Sequence, residues 1–146
     1  MKNLFRFTIL FAVLFSLSAC GSPKADIEVV FTKDNCEYNG PNGAVDSPVT
    51  VHVVNKTNPD ENVTLGVGDE YGLAFVTLKE GFTKADIEAY QEYGNPPFVD
   101  RMVGLVDPIG GEEKTMEVEL DPGREHFVVC ARQSGVISVP AVITPK

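Results

Sequence analysis

The chain has 146 residues and a formal net charge of −9, from 12 Lys and Arg against 21 Asp and Glu. This acidic balance argues against nucleic-acid binding and against docking on anionic lipid headgroups, because both require basic patches. A hydrophobic content of 43% is too high for an intrinsically disordered chain and is sufficient for one folded domain.

The first 19 residues predict a cleaved secretory signal. Lys2 and Arg6 make the beginning basic, and residues 7–17 are almost wholly apolar but too few to span a membrane as a helix. The following sequence LSAC, which ends at Cys20, resembles the bacterial lipobox, where cleavage occurs before the cysteine. The resemblance implies that Cys20 becomes the lipidated N-terminal residue. An ordinary signal peptide is the alternative.

A lipidated cysteine implies a protein of the bacterial cell envelope, anchored on the extracytoplasmic side of the inner or the outer membrane. Several acyl chains, at about 0.8 kcal/mol for each buried methylene group, give a stable anchor. Removing 19 of the 146 residues leaves 127, with Lys and Arg reduced from 12 to 10. We therefore expect a short tether, residues 20–25, followed by one acidic domain over residues 26–146.

This domain is rich in short runs in which apolar and polar residues alternate, a pattern typical of β-strands. In the strongest run, Val49, Val51 and Val53 share one face. Turn signals such as Pro122-Gly123 separate the runs and favour an all-β, antiparallel Greek-key sandwich. The predicted strands cover residues 26–32, 49–55, 62–67, 73–78, 98–106, 115–120, 126–132 and 136–144, with turns over residues 35–43.

One helix is predicted over residues 83–93, in the middle of these strands. Thr83 and Asp86 have the spacing of a capping box, and Gly94 provides a stop signal before a Pro-Pro pair.

Three aromatic residues in this insertion, Tyr90, Tyr93 and Phe98, form a candidate binding surface. Loops and short elements on a rigid sandwich often carry recognition. The alternative is a structural role, in which Tyr90 and Phe98 cover one open end of the sandwich.

Two parts of the domain resemble a known family. The run VTVHVVNKT begins at Val49, and the run LDPGREHFVVC ends at Cys130 and is followed by VPAVIT. Together they resemble the cupredoxin-like fold of plastocyanin and its relatives. In that family a strand ending in Asn leads to the first copper histidine, and a Pro-Gly turn opens the strand that ends in the copper cysteine. The resemblance implies a cupredoxin-like sandwich with Cys130 at the copper position.

The copper ligands themselves are missing. A type-1 copper site needs two imidazoles, one thiolate and a weak axial ligand. The two histidines, His52 and His126, do not occupy the family's positions, since residues 58–62 contain no histidine and Gln133 stands near the place of the second one. His126 lies about 13 Å from Cys130 along a strand. We predict no cofactor, with a type-1 copper electron-transfer protein of unusual ligand set as the alternative.

If Cys20 is lipidated, as the lipobox implies, Cys36 and Cys130 are the two remaining cysteines. Disulfides form and persist in an oxidising extracytoplasmic compartment. The resemblance puts Cys130 at one end of the sandwich, and Cys36 follows the first strand within reach of that end. We expect a Cys36–Cys130 disulfide, and two buried free thiols are the alternative.

Sequence motifs of common enzymes are absent, among them Gly-x-Ser-x-Gly and His-Glu-x-x-His. The acidic pairs do not follow the spacing of a calcium loop. We therefore predict a protein that is not an enzyme. It is expected to serve as a binding or envelope-accessory module, whose partner is an envelope protein or a small ligand.

Overall fold

The structure is a computed structural model that describes residues 24–57, 71–92, 96–132 and 135–146. Within these ranges the chain forms nine strands and one short helix, and the strands form two sheets. In chain order the elements are β1 (Ile27–Thr32), β2 (Asn35–Asn39), β3 (Gly43–Val45), β4 (Val49–Asn55), β5 (Tyr71–Leu78), α1 (Lys84–Glu88), β6 (Val99–Val106), β7 (Glu113–Val118), β8 (His126–Arg132) and β9 (Gly135–Pro145).

The smaller sheet has the strand order β2-β1-β4-β7, and the larger has the order β3-β9-β8-β5-β6. The fold is therefore the all-β sandwich that the sequence predicted. Its pairing is mixed, because β1 runs parallel to β4 and β3 runs parallel to β9, whereas the sequence predicted antiparallel pairing throughout. β2 runs antiparallel to β1, and the chain then crosses to the larger sheet to form β3. It re-enters the smaller sheet as β4, which runs parallel to β1.

The main core lies between the facing sides of the two sheets. Val49, Val51 and Val53 alternate on the inner face of β4 and are at most 2% exposed, as their spacing predicted. Three residues of β1 with the same spacing are fully buried. Burying one such side chain contributes about 1.5–3 kcal/mol, so a one-residue slip in register would be costly.

Residues 35–43, where the sequence predicted turns, contain β2 and the first residue of β3. β2 pairs with β1, with Cys36 opposite Phe31, and β3 follows in the other sheet. The turn-forming residues lie at the strand ends, where Tyr38 donates a hydrogen bond to the carbonyl of Pro41 at 2.7 Å. Burial raises the pKa of Tyr38 to about 12. Pairing with the edge of β1 thus makes β2 a strand, although the local sequence of this segment favours turns.

Helix α1 is shorter than the predicted span of residues 83–93. Its start agrees with the prediction, because the N–H and Oγ of Thr83 donate to Asp86 Oδ2 at 2.7 and 2.8 Å. Beyond the helix, the carbonyl of Tyr90 accepts the N–H of Val136 at 3.1 Å. This bond to β9 replaces a further helical turn. The predicted stop at Gly94 lies outside the described residues, as do the predicted strand over residues 62–67 and the signal segment.

None of the helices in the described ranges has the length and apolar character needed to cross a membrane.

Candidate functional site

Cys36 and Cys130 form a disulfide across the core, with Cα atoms 6.3 Å apart. Cys36 lies on β2 of the smaller sheet and Cys130 on β8 of the larger one, so the bond joins the two sheets. Cys130 is fully buried, and Cys36 is 9% exposed. Copper would require a thiolate at Cys130. In the disulfide, the sulfur of Cys130 is bonded to the sulfur of Cys36 and is not a thiolate.

The imidazole of His126 binds the turn that precedes β8. His126 is fully buried, and its Nε2 accepts the backbone N–H of Asp121 at 3.1 Å. Burial lowers the pKa of His126, which favours the neutral ring that this bond requires. Cys130 follows His126 by four positions in β8, which is about 13 Å along the strand. Its position therefore supports a structural role and does not bring it to the sulfur.

His52 lies half-buried on the outer face of the smaller sheet. Its Nδ1 is 2.9 Å from Thr115 Oγ1, and its Nε2 is 3.7 Å from Glu113 Oε2. Within the described part of the chain, no three His, Cys, Asp or Glu side chains are grouped so that they could hold a metal ion. Residues 58–62 and Gln133, where the resemblance would place copper histidines, lie outside the described residues.

An apolar groove of about 430 Å³ lies on the outer face of the larger sheet. Its floor contains three small residues, which leave space above the sheet: Gly72 and Ala74 of β5 and Ala131 of β8. The groove volume is within the range of small-molecule binding sites, about 300–1,000 Å³. The groove exists because small residues lie next to each other on β5 and β8, and only the pairing of these strands shows that they are neighbours.

Two of the three predicted binding residues, Tyr90 and Phe98, line this groove. Their rings are 5.3 Å apart at an interplanar angle of 88°, and Phe98 is only 3% exposed. With Ile87 of α1 they belong to a second apolar cluster on the outer face of the larger sheet. They therefore pack on a sheet face and do not cover an open end of the sandwich. Tyr93 lies outside the described residues.

The other side of the groove is formed by β6, which the sequence analysis did not single out. Met102 and Leu105 line the groove and are 47% and 51% exposed, so two large apolar side chains share one exposed surface. The signal that could have identified them is the absence of charge in residues 102–106, at the end of a strand that begins with charged residues.

Three charged residues line the groove as well, namely Glu92, Asp107 and Arg132. Arg132 Nη1 is 3.5 Å from Asp34 Oδ1, and Asp107 Oδ1 is 3.5 Å from Lys114 Nζ. These groups are exposed, so the ion pairs contribute little to stability. The groove therefore combines an apolar surface with a few polar groups, as ligand sites usually do.

No protein-family model matches the sequence, and no curated protein is similar to it. Among solved structures, the chain is similar to sodium-dithionite-reduced auracyanin from the photosynthetic bacterium Roseiflexus castenholzii. The two share 16% identity with a TM-score of 0.46, and the match covers 82% of this chain and 94% of that one. A likeness at this level assigns neither family nor activity. The fold class therefore rests on the two sheets, and the function must be inferred from the domain's own surfaces.

Proposed function

We propose that the protein is a lipid-anchored binding module of the bacterial cell envelope, with a cupredoxin-like domain that does not use copper. Its ligand or partner occupies the apolar groove on the outer face of the larger sheet. The observation that carries the proposal is the groove itself, which combines a volume of about 430 Å³ with two exposed apolar side chains, Met102 and Leu105.

The sheet arrangement supports the cupredoxin-like part of the proposal. The two pieces that carry the sequence resemblance become β4, an interior strand of the smaller sheet, and β8 with β9, interior strands of the larger one. Gly123 has a φ of 69°, a conformation that glycine adopts readily, in the Pro-Gly turn before β8. Asn55 at the end of β4 is buried, and its Nδ2 donates to the carbonyl of Pro108 at 2.9 Å. In place of copper, a disulfide occupies Cys130.

The groove is suited to binding because two side chains of its apolar lining, Met102 and Leu105, are exposed to water in the free protein. Association that removes apolar surface from water contributes about 25 cal/mol per Å². The floor belongs to the paired strands β5 and β8, so little conformational order has to be gained on binding.

Binding of the neutral fluorescent probe N-phenyl-1-naphthylamine to the mature chain carrying Cys20→Ser tests this function. We expect saturable fluorescence enhancement. Ala74→Leu, which fills the groove from its floor, should weaken probe binding at least about tenfold. Ala44→Leu, at an exposed position of β3, is the matched control and should bind as the parent does. Equal probe binding by the two variants would contradict the proposal.

The copper alternative requires a free thiolate at Cys130, so the disulfide counts against it. Intense visible absorption after reduction and addition of Cu²⁺ would support copper binding. Its absence, together with probe binding in the groove, would favour the binding module.

A further inference from the structure

Among the strands of the described residues, β6 lies at one edge of the larger sheet. In the described part of the chain, β5 is the strand with which it forms a ladder. In an antiparallel ladder, alternate residues of an edge strand direct their N–H and C=O groups away from the sheet. Such a row of backbone groups is a template on which another extended chain can pair.

The two halves of β6 differ in how this edge is protected. At its start, Asp100 accepts from Arg124 and Arg101 donates to Asp121, both at 2.7 Å. Charged residues of this kind normally prevent edge-to-edge pairing. Residues 102–106 carry no charge, and the exposed Leu105 lies in this half. The pairing with β5 is irregular between Met102 and Gly104 and regular from Gly104 to Val106, so the regular part of the uncharged edge is these last three residues. The edge is therefore charged at one end and uncharged at the other.

The uncharged half of β6 is also a wall of the groove, through Met102 and Leu105. A strand added beside β6 would send every second side chain toward the outer face of the sheet, where the groove lies. Backbone pairing and side-chain insertion can thus occur together, which is the arrangement that strand-addition sites use for affinity and for specificity.

We propose that the uncharged half of β6 binds an extended segment of a partner protein, which adds to the larger sheet as a further strand and places alternate apolar side chains in the groove. This inference rests on the binding function proposed for the groove and names its partner class. The charged residues that line the groove are two carboxylates, Glu92 and Asp107, and one guanidinium, Arg132, and the chain has a net charge of −9, so the balance is acidic. We therefore infer that basic residues flank the apolar residues of the partner segment.

The probe that tests this proposal is the labelled peptide KKVTVTVTVKK, measured by fluorescence anisotropy on the mature chain carrying Cys20→Ser. Two further peptides carry N-methyl groups on alternate residues, one on the odd and one on the even set, and keep the same charge. An added strand bonds through one edge only. We expect one N-methylated peptide to lose binding by at least about tenfold and the other to bind like the parent.

On the protein, Leu105→Lys should weaken binding of the parent peptide at least about tenfold. Ile109→Lys is the matched control, because Ile109 is 63% exposed, apolar, and outside both β6 and the groove. It should leave peptide affinity unchanged. Equal loss in the two variants, or equal binding of all three peptides, would show attraction by charge alone and overturn the proposal.

Other outcomes separate this inference from the proposed function. If Ala74→Leu abolishes binding of N-phenyl-1-naphthylamine but no peptide binds, the groove remains a ligand site and the pairing of β6 with a partner is wrong. If the protein self-associates through β6, and Leu105→Lys prevents this without any peptide binding, the edge belongs to a second copy of the chain. That result also overturns the proposal.

Discussion

Cys36, on an edge strand of one sheet, is bonded to Cys130, on an interior strand of the other, across 94 positions of sequence. The bond therefore restrains the relative position of the two sheets in the folded domain. It also closes a long loop in the unfolded chain, which lowers the entropy of that state.

Removing the disulfide should lower the free energy of unfolding. For Cys36→Ala combined with Cys130→Ala, the chain-entropy model gives a loss of up to about 4–5 kcal/mol. Guanidinium denaturation of the two proteins measures it. Reductant should lower the midpoint of the parent and leave that of the double variant unchanged. Coincident midpoints for the oxidised parent and the double variant would contradict a stabilising role.

Stability should fall with acidification because His126 must stay neutral. Burial lowers the pKa of His126 below its ordinary value of about 6.5, so the folded state holds the proton less tightly than the unfolded state does. The contribution of His126 to the free energy of unfolding is therefore fully present above a pH of about 6.5. It decreases as the pH falls from there toward the lowered pKa of the folded state.

Urea denaturation between neutral and mildly acidic pH checks this dependence. His126→Gln retains an acceptor for the Asp121 N–H but cannot take up the proton, so its stability should vary less with pH. An unchanged slope in His126→Gln would exclude this residue as the cause.

A methyl group at Gly104 should destabilise the contact between the sheets. A Cβ there would lie 2.8 Å from Val118 Cγ1 and 3.4 Å from Phe75 Cδ2, both in buried side chains. Gly104→Ala should therefore cost about 1–3 kcal/mol in thermal or chemical denaturation. Gly72→Ala is the matched control, because its Cβ would meet the exposed Leu105 side chain at 3.3 Å, and that side chain can move. A smaller loss at Gly104 than at Gly72 would refute the argument.

The start of α1 depends on the hydroxyl of Thr83. Thr83 donates two hydrogen bonds to the Asp86 carboxylate, one from its backbone N–H and one from its hydroxyl. Both bonds lower the pKa of that carboxyl, the backbone bond more than the hydroxyl bond. Thr83→Ala should raise the pKa of Asp86, seen by NMR titration, and reduce stability by at most about 1 kcal/mol. Thr83→Ser keeps a hydroxyl and should restore both. If the alanine and serine variants have the same Asp86 pKa and the same stability, the hydroxyl of Thr83 does not contribute to either.

The lipid anchor predicted at Cys20 is tested by detergent phase partitioning. The parent protein should enter the detergent phase, and Cys20→Ser should either stay in the aqueous phase or accumulate with its signal uncleaved. Cys36→Ala is the control for loss of a cysteine elsewhere, and it should partition as the parent does. Identical partitioning of the parent and Cys20→Ser would remove the anchor from the proposal.

The groove and the edge that carry the binding proposals were only partly visible in the sequence. Tyr90 and Phe98 attracted attention as aromatic residues in an insertion, and the structure places both at the groove. The small residues at positions 72 and 74 gave no comparable signal, and the only signal for Leu105 was the absence of charge in residues 102–106. Their importance comes from lying on neighbouring strands and at a sheet edge, which depends on pairing over long sequence distances.

The sequence by itself determined the features that depend on neighbouring residues: the alternation that makes Val49–Asn55 a strand with one buried face, and the cap at Thr83. The tertiary structure alone decided the parallel pairing of β1 with β4 and the early end of α1 at Glu88. The physical reason is that backbone groups bond to whichever partner the fold brings near. Edges of distant strands therefore override local turn and helix preferences.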